Sequence, residues 1–145
     1  MSKFKFKFES VKVVKEAFEK KAQKELAQID MFISKHHELR DRLVDEVNNL
    51  RNSAYKKKMN VAELQFLGGY DKVLKQQIDM QTEVITRYKK KREKKIEEVV
   101  IKSKEKKILD QLEESHREKF YKDINVTELK NFDEIAVQNF NKAKK

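Results

Sequence analysis

Among its 145 residues the chain has no cysteine, no proline and only two glycines. The missing cysteine excludes disulfides and thiolate-held metal, and it fits a reducing compartment. Tight turns and sheet corners lean on Gly and Pro, so an all-β or α/β fold with many short connections has little to build its turns from. No apolar run approaches the ~20 residues of a membrane span, and no signal-peptide core follows the N-terminus. The expectation is a soluble, intracellular protein.

Charged residues make up 41% of the chain and hydrophobic ones 38%. Abundant Lys, Glu, Leu, Gln and Ala without Pro suit long helices with solvated flanks. Disorder is the competing account of such polarity. The regular spacing of the apolar residues argues against it. Ala22, Ile29, His36, Leu43 and Leu50 recur every seven residues, and Leu26, Ile33, Arg40, Val47 and Ala54 form a second such series. Together they read as the a and d positions of a coiled coil, with His36 and Arg40 as polar interruptions that cost stability and pin register.

The pattern fades in YKKKMN, residues 55 to 60. Asn60 followed by Glu63 reads as an N-cap with its capping-box partner, so a second helix starts near residue 61. Gly68 and Gly69 mark a soft spot near the tip, or else the end of a longer loop at Tyr70; inside a helix each costs about 1 kcal/mol relative to Ala. The second helix continues with Leu67, Leu74, Gln81 and Tyr88 in one series and Asp71, Ile78, Ile85, Arg92 and Val99 in the other. Beyond Arg92, the apolar residues Ile96, Val100, Ile101, Ile108 and Leu112 fit only if a four-residue stutter is inserted. Asn125-Val-Thr-Glu128 echoes the capping box at residue 60, which predicts a break at 122–125.

The predicted fold is therefore all-α, one long antiparallel two-helix coiled-coil hairpin in a single domain. Helix one is expected over about 4–57, the tip over 57–61, helix two over 61–122, a short C-terminal helix over 126–140 and a frayed tail over 141–145. Folding back near residue 60 puts residue 10 opposite residue 110. The opening KFKFKF alternates like a strand. However, Phe4, Phe8, Val11, Val14 and Phe18 step by four, three, three and four, a helical stripe that runs into Ala22 and Leu26 and leaves Phe6 exposed.

Catalytic constellations are absent from the pattern. His36 and His37 point about 100° apart on a helix, and no third ligand converges on them, so zinc is not expected. Gly68-Gly69 lacks the Lys-Ser/Thr of a phosphate loop. A non-enzyme without cofactors is expected. The net charge of +10 is concentrated in residues 87–107, which hold eleven basic residues and four acids. Arg87, Lys89, Lys90, Lys91, Arg92, Lys94 and Lys95 form a basic patch, either a solvated helix face or a contact for an acidic partner. Nucleic acid is not the expected partner, because apart from Tyr88 no aromatics stand ready to stack on bases.

KFKFKFESVKVVKEAFEKKAQKELA resembles the opening of the FliJ family, coiled-coil components of the bacterial flagellar protein-export apparatus, with Phe4, Phe6, Phe8, Val11, Val14, Lys15 and Glu16 on its pattern. The close, LKNFDEIAVQNF, resembles the family's C-terminal segment at Lys130, Phe132, Asp133, Glu134 and Ala136. The resemblance implies a cytoplasmic stalk at the flagellar base, similar in shape to the γ shaft of rotary ATPases. It implies that Phe4, Phe6, Phe8, Val11, Lys15, Phe132, Asp133 and Glu134 meet the ring of the export ATPase FliI. It implies further that Tyr70, Leu74, Gln77 and Gln81 meet the export gate FlhA, that export chaperones bind, and that membrane association comes only through partners. The alternatives are the equivalent stalk of a virulence-type secretion system and a basic coiled coil that binds nucleic acid.

Overall fold

A computed structural model describes residues 2–144, and among these it is all-α, with helices α1 (Glu9–Lys56) and α2 (Val61–Ala143) packed against each other and no strand. Each helix has an acid in its first turn and a base in its last, Glu9 and Lys56 on α1, Glu63 and Lys142 on α2, as the helix dipole favours. The start of α2 is a complete capping box. The Glu63 amide donates to Asn60 Oδ1 at 2.8 Å, and the Asn60 amide donates to Glu63 Oε2 at 3.3 Å. The helix then runs through Gly68 and Gly69, which excludes a loop ending at Tyr70. Neither glycine has a positive φ, and a Cβ on either would meet nothing within 4 Å.

Contacts divide the chain into two compact units, one of Lys20–Val100 and one of Met1–Glu19 with Ile101–Lys145. In the unit Lys20–Val100 every residue of the four seven-residue series is buried or half-buried. Ala22, Val47, Leu74 and Ile85 are the most enclosed, at 2, 6, 2 and 3% exposure. The polar members of the seam find partners. His36 Nδ1 is hydrogen-bonded to Gln81 Oε1, and Phe32 stacks on Tyr88 at 3.9 Å between ring centres. Asp71 receives both Lys75 at 2.9 Å and Arg51 at 3.3 Å.

The other unit departs from expectation in four ways. First, α1 starts at Glu9 rather than near residue 4, and residues 2–6 are irregular. The Glu9 amide donates to the Phe6 carbonyl at 3.3 Å, a turn that lets the preceding chain lie along α2. Second, Phe6 is not exposed; at 8% it is the buried phenylalanine of the opening, edge-on to His116 at 5.9 Å. Third, no stutter follows Arg92. The half-buried positions continue every seven residues as Val99, Lys106, Glu113 and Phe120, and as Lys95, Lys102, Leu109 and His116. Ile101 and Ile108 are exposed instead, at 55 and 63%. Fourth, α2 passes through 122–125 unbroken, and the Thr127 hydroxyl donates to the Asp123 carbonyl at 2.8 Å within the helix.

Leu74→Ala is expected to lower stability by about 2–3 kcal/mol, the lower part of the core range because neighbours in a two-helix seam can relax into the gap. Gly68→Ala or Gly69→Ala should raise it by about 1 kcal/mol each, since helical backbone gains from the lost chain entropy and the space is open. Urea unfolding followed by circular dichroism checks both directions.

Candidate functional site

Continuing the seven-residue frame of α1 backward from Ala22 and Leu26 gives Lys15, Glu19 and Lys12, all half-buried. The α2 positions they meet are charged as well. The Lys12 ammonium is paired with Glu113 and stands 3.6 Å from Asp110. Lys15 donates to Glu105 at 2.9 Å, and Glu19 accepts from the Ser103 hydroxyl at 3.0 Å with Lys106 at 3.9 Å. The seam of this unit is therefore largely ionic. Its hydrogen bond to Lys12 holds the Glu113 carboxyl below the ordinary range, and Lys15 does the same to Glu105. Reciprocally, Glu113 raises Lys12.

With charges inside, apolar residues are left outside. Val11, Val14 and Phe18 are 43, 49 and 47% exposed, although their spacing marked them as the seam. A helix offers one face to its neighbour, and here that face is the one whose charges find opposite charges across the gap. Ile101 and Ile108 are displaced in the same way on α2.

Of the residues implied to meet an ATPase ring, Phe4, Phe6 and Phe8 form an aromatic cluster with His116 and Phe120. Phe4 lies 5.7 Å from Phe120, under the Arg117 guanidinium at 5.6 Å, and Phe8 lies 5.9 Å from Phe6. Val11 is exposed and Lys15 is committed to Glu105. Phe132, Asp133 and Glu134 are not brought to this cluster. The unbroken helix carries Phe132 twelve residues past Phe120, roughly 18 Å farther along α2. There Leu129, Phe132, Ile135 and Phe140 are all more than half exposed.

The four residues implied to meet an export gate do not share a surface. Leu74 is a core residue at 2% exposure, and Gln81 is half-buried on His36. Tyr70 and Gln77 are exposed, and the Tyr70 hydroxyl donates to Glu46, which raises its pKa above the ordinary phenolic value.

The basic patch separates into two sets. Arg92 is paired with Asp30 across the helices, and Lys95 with Glu25 at 2.6 Å and Glu98 at 2.7 Å. The Glu25 carboxylate raises Lys95 and is itself lowered by it. These two cations are structural. Arg87, Lys90, Lys91 and Lys94 are exposed at i, i+3, i+4 and i+7, one stripe along α2, with Lys91 over the Tyr88 ring at 4.7 Å. Lys89 is exposed on another side.

Sequence reasoning had no place for Val14, Phe18, Ile101 and Ile108 as surface, nor for Arg117 over Phe4; His116 beside the N-terminal phenylalanines follows from folding the chain back near residue 60, and the structure has it there. Carrying the α1 frame backward from Ala22 and Leu26, and the α2 frame past Val99 without a slip, would have found the first group. Among the described residues no group of three or more His, Cys, Asp or Glu could hold a metal ion, and no helix is long and apolar enough to cross a membrane.

The family model described as Flagellar FliJ protein matches residues 4–145. No curated protein and no solved structure matches the chain.

The ionic seam sets an expected pH dependence. Glu105 and Glu113 titrate below their ordinary value of 4.5 when folded, so their contribution is complete above that value and is lost as pH falls through the lower folded values. Thermal stability should therefore fall below about pH 4.5, and the double variant E105Q/E113Q should show a shallower acid dependence than the parent. An identical acid profile in both would contradict the ionic seam.

Proposed function

The chain belongs to the FliJ family of flagellar export-associated coiled-coil proteins, and we propose that it is the stalk that engages the ring of the export ATPase FliI and promotes its assembly and activity. In this reading it also links the ring to the export gate FlhA, escorts export chaperones, and works at the cytoplasmic face of the inner membrane at the flagellar base. The family is a non-enzymatic one, and the proposal assigns no chemistry to the chain itself.

The observation that carries the reading is the inverted unit of Met1–Glu19 with Ile101–Lys145. A helix pair that keeps charges in the seam and leaves Val11, Val14, Phe18, Ile101 and Ile108 on the outside is built to be covered by something else. Val11, Val14 and Phe18 offer an apolar face beside the aromatic cluster of Phe4, Phe6 and Phe8. Charge pairs inside keep the two helices in register without using the apolar residues. Both terminal segments that resemble the family's ring-binding ends fall in this unit.

For the gate, Tyr70 and Gln77 are the exposed residues of the implied set, while Leu74 belongs to the core. Tyr70 is steadied by its bond to Glu46. The stripe of Arg87, Lys90, Lys91 and Lys94 offers a chaperone or gate segment of acidic character a place to bind.

Purified protein is expected to stimulate ATP hydrolysis by the cognate ring ATPase. The variant V14S/F18S should need about tenfold more protein for half-maximal stimulation, as for two central interface residues, with helicity unchanged. Removing residues 1–18, or reversing charge in 87–107, should also weaken it. Full stimulation by all three would sink the proposal.

A further inference from the structure

The connection between the helices exposes a second apolar surface that the stalk reading does not use. Tyr55, at the end of α1, is 90% exposed, and Val61, Leu64 and Phe66 in the first turns of α2 are 71, 54 and 73% exposed. Lys56, Lys57 and Lys58 stand in the middle of them, all exposed. The single acid of this stretch, Glu63, is engaged with the Asn60 amide, and the next acid, Asp71, is held by Lys75 and Arg51. We propose that this tip, Tyr55–Phe66, inserts into the headgroup region of an anionic phospholipid bilayer.

Two features select a bilayer over a protein groove. At about 100° per residue, Val61 and Leu64 share one side of α2, about 60° apart, and Phe66 points to the other side, about 140° from Val61. A partner helix would cover one of those sides; a bilayer interface surrounds the tip and takes both. The second feature is the combination itself. Aromatic and aliphatic side chains that enter the headgroup region, with lysines beside them to meet lipid phosphates, supply the two signals that stable surface association needs. The contact is direct, where the family resemblance implied association only through partners. It stands apart from the ring-binding reading, since every residue in it lies within Lys20–Val100.

The chain has no tryptophan, so the full-length F66W variant carries a single reporter at the tip. Its emission should shift to the blue with vesicles of phosphatidylcholine mixed with phosphatidylglycerol, and not with phosphatidylcholine alone. The shift should fade as salt rises. Adding K56Q/K57Q/K58Q should lower partitioning roughly a hundredfold. V61S/L64S should also lower it, at unchanged charge, with circular dichroism confirming the helices. K90Q/K91Q/K94Q provides the contrast and should leave the shift in place. Sedimentation with anionic vesicles without a blue shift, or binding lost in the contrast variant and kept in the tip variants, would overturn the proposal. So would tip variants that bind vesicles normally yet lose a protein partner.

Discussion

A hairpin of two helices has a single seam, and every property of this chain depends on what occupies it. Among the described residues there is no third helix to bury a side chain that the seam turns away, so a side chain on either helix faces the other helix or faces outward. Along the unit Lys20–Val100 the inward positions are mostly apolar, and the four most enclosed, Ala22, Val47, Leu74 and Ile85, remove hydrocarbon from water. In the other unit the inward positions on α1 are Lys12, Lys15 and Glu19, opposite Lys106, Asp110 and Glu113. Burial holds the first unit, and complementary charge aligns the second.

This difference separates stability from recognition. Partly exposed ion pairs are screened by salt and add less to stability than apolar burial, so the terminal unit is the softer one. What it gains is an outer surface of Val11, Val14, Phe18, Ile101 and Ile108, apolar groups that a partner can cover. Lys95 and Arg92 show the same economy on the basic run. They serve the fold through Glu25 and Asp30, while the stripe of Arg87, Lys90, Lys91 and Lys94 keeps its charge for the surface.

The heptads from Ala22 to Val99 were legible because only one residue type, apolar, fills nearly all of those positions, and a period of seven has no other common cause. The capping box at Asn60 was legible because it is local, two side chains bonding two amides three residues apart. Where the seam turns ionic, the same method fails in a specific way. Following hydrophobicity through Val11, Val14 and Phe18, and through Val100, Ile101 and Ile108, tracks residues that stand outside. An unslipped frame with lysines in it is indistinguishable, by hydropathy, from a slipped frame with isoleucines. The echo at Asn125 failed for a related reason. A capping residue permits a helix start but does not impose one, and no Gly or Pro interrupts the stretch from Gln111 to Lys145. Leu74 illustrates the limit for the site: a family motif can mark a position, but only packing says whether its side chain is reachable.

The sequence by itself determined that the chain is helical, that it turns once near residue 60, and that the two arms meet in a seven-residue frame. All three follow from local propensity, capping and periodicity, which neighbouring residues settle among themselves. The tertiary structure decided which face of each arm is inside once the frame turns polar, because a charge is tolerated in a seam only when its partner is across the gap. It also decided the fate of the alternating Lys-Phe opening. Phe6 is buried because His116 is there to receive it, a fact about α2 that six residues at the start of the chain do not contain.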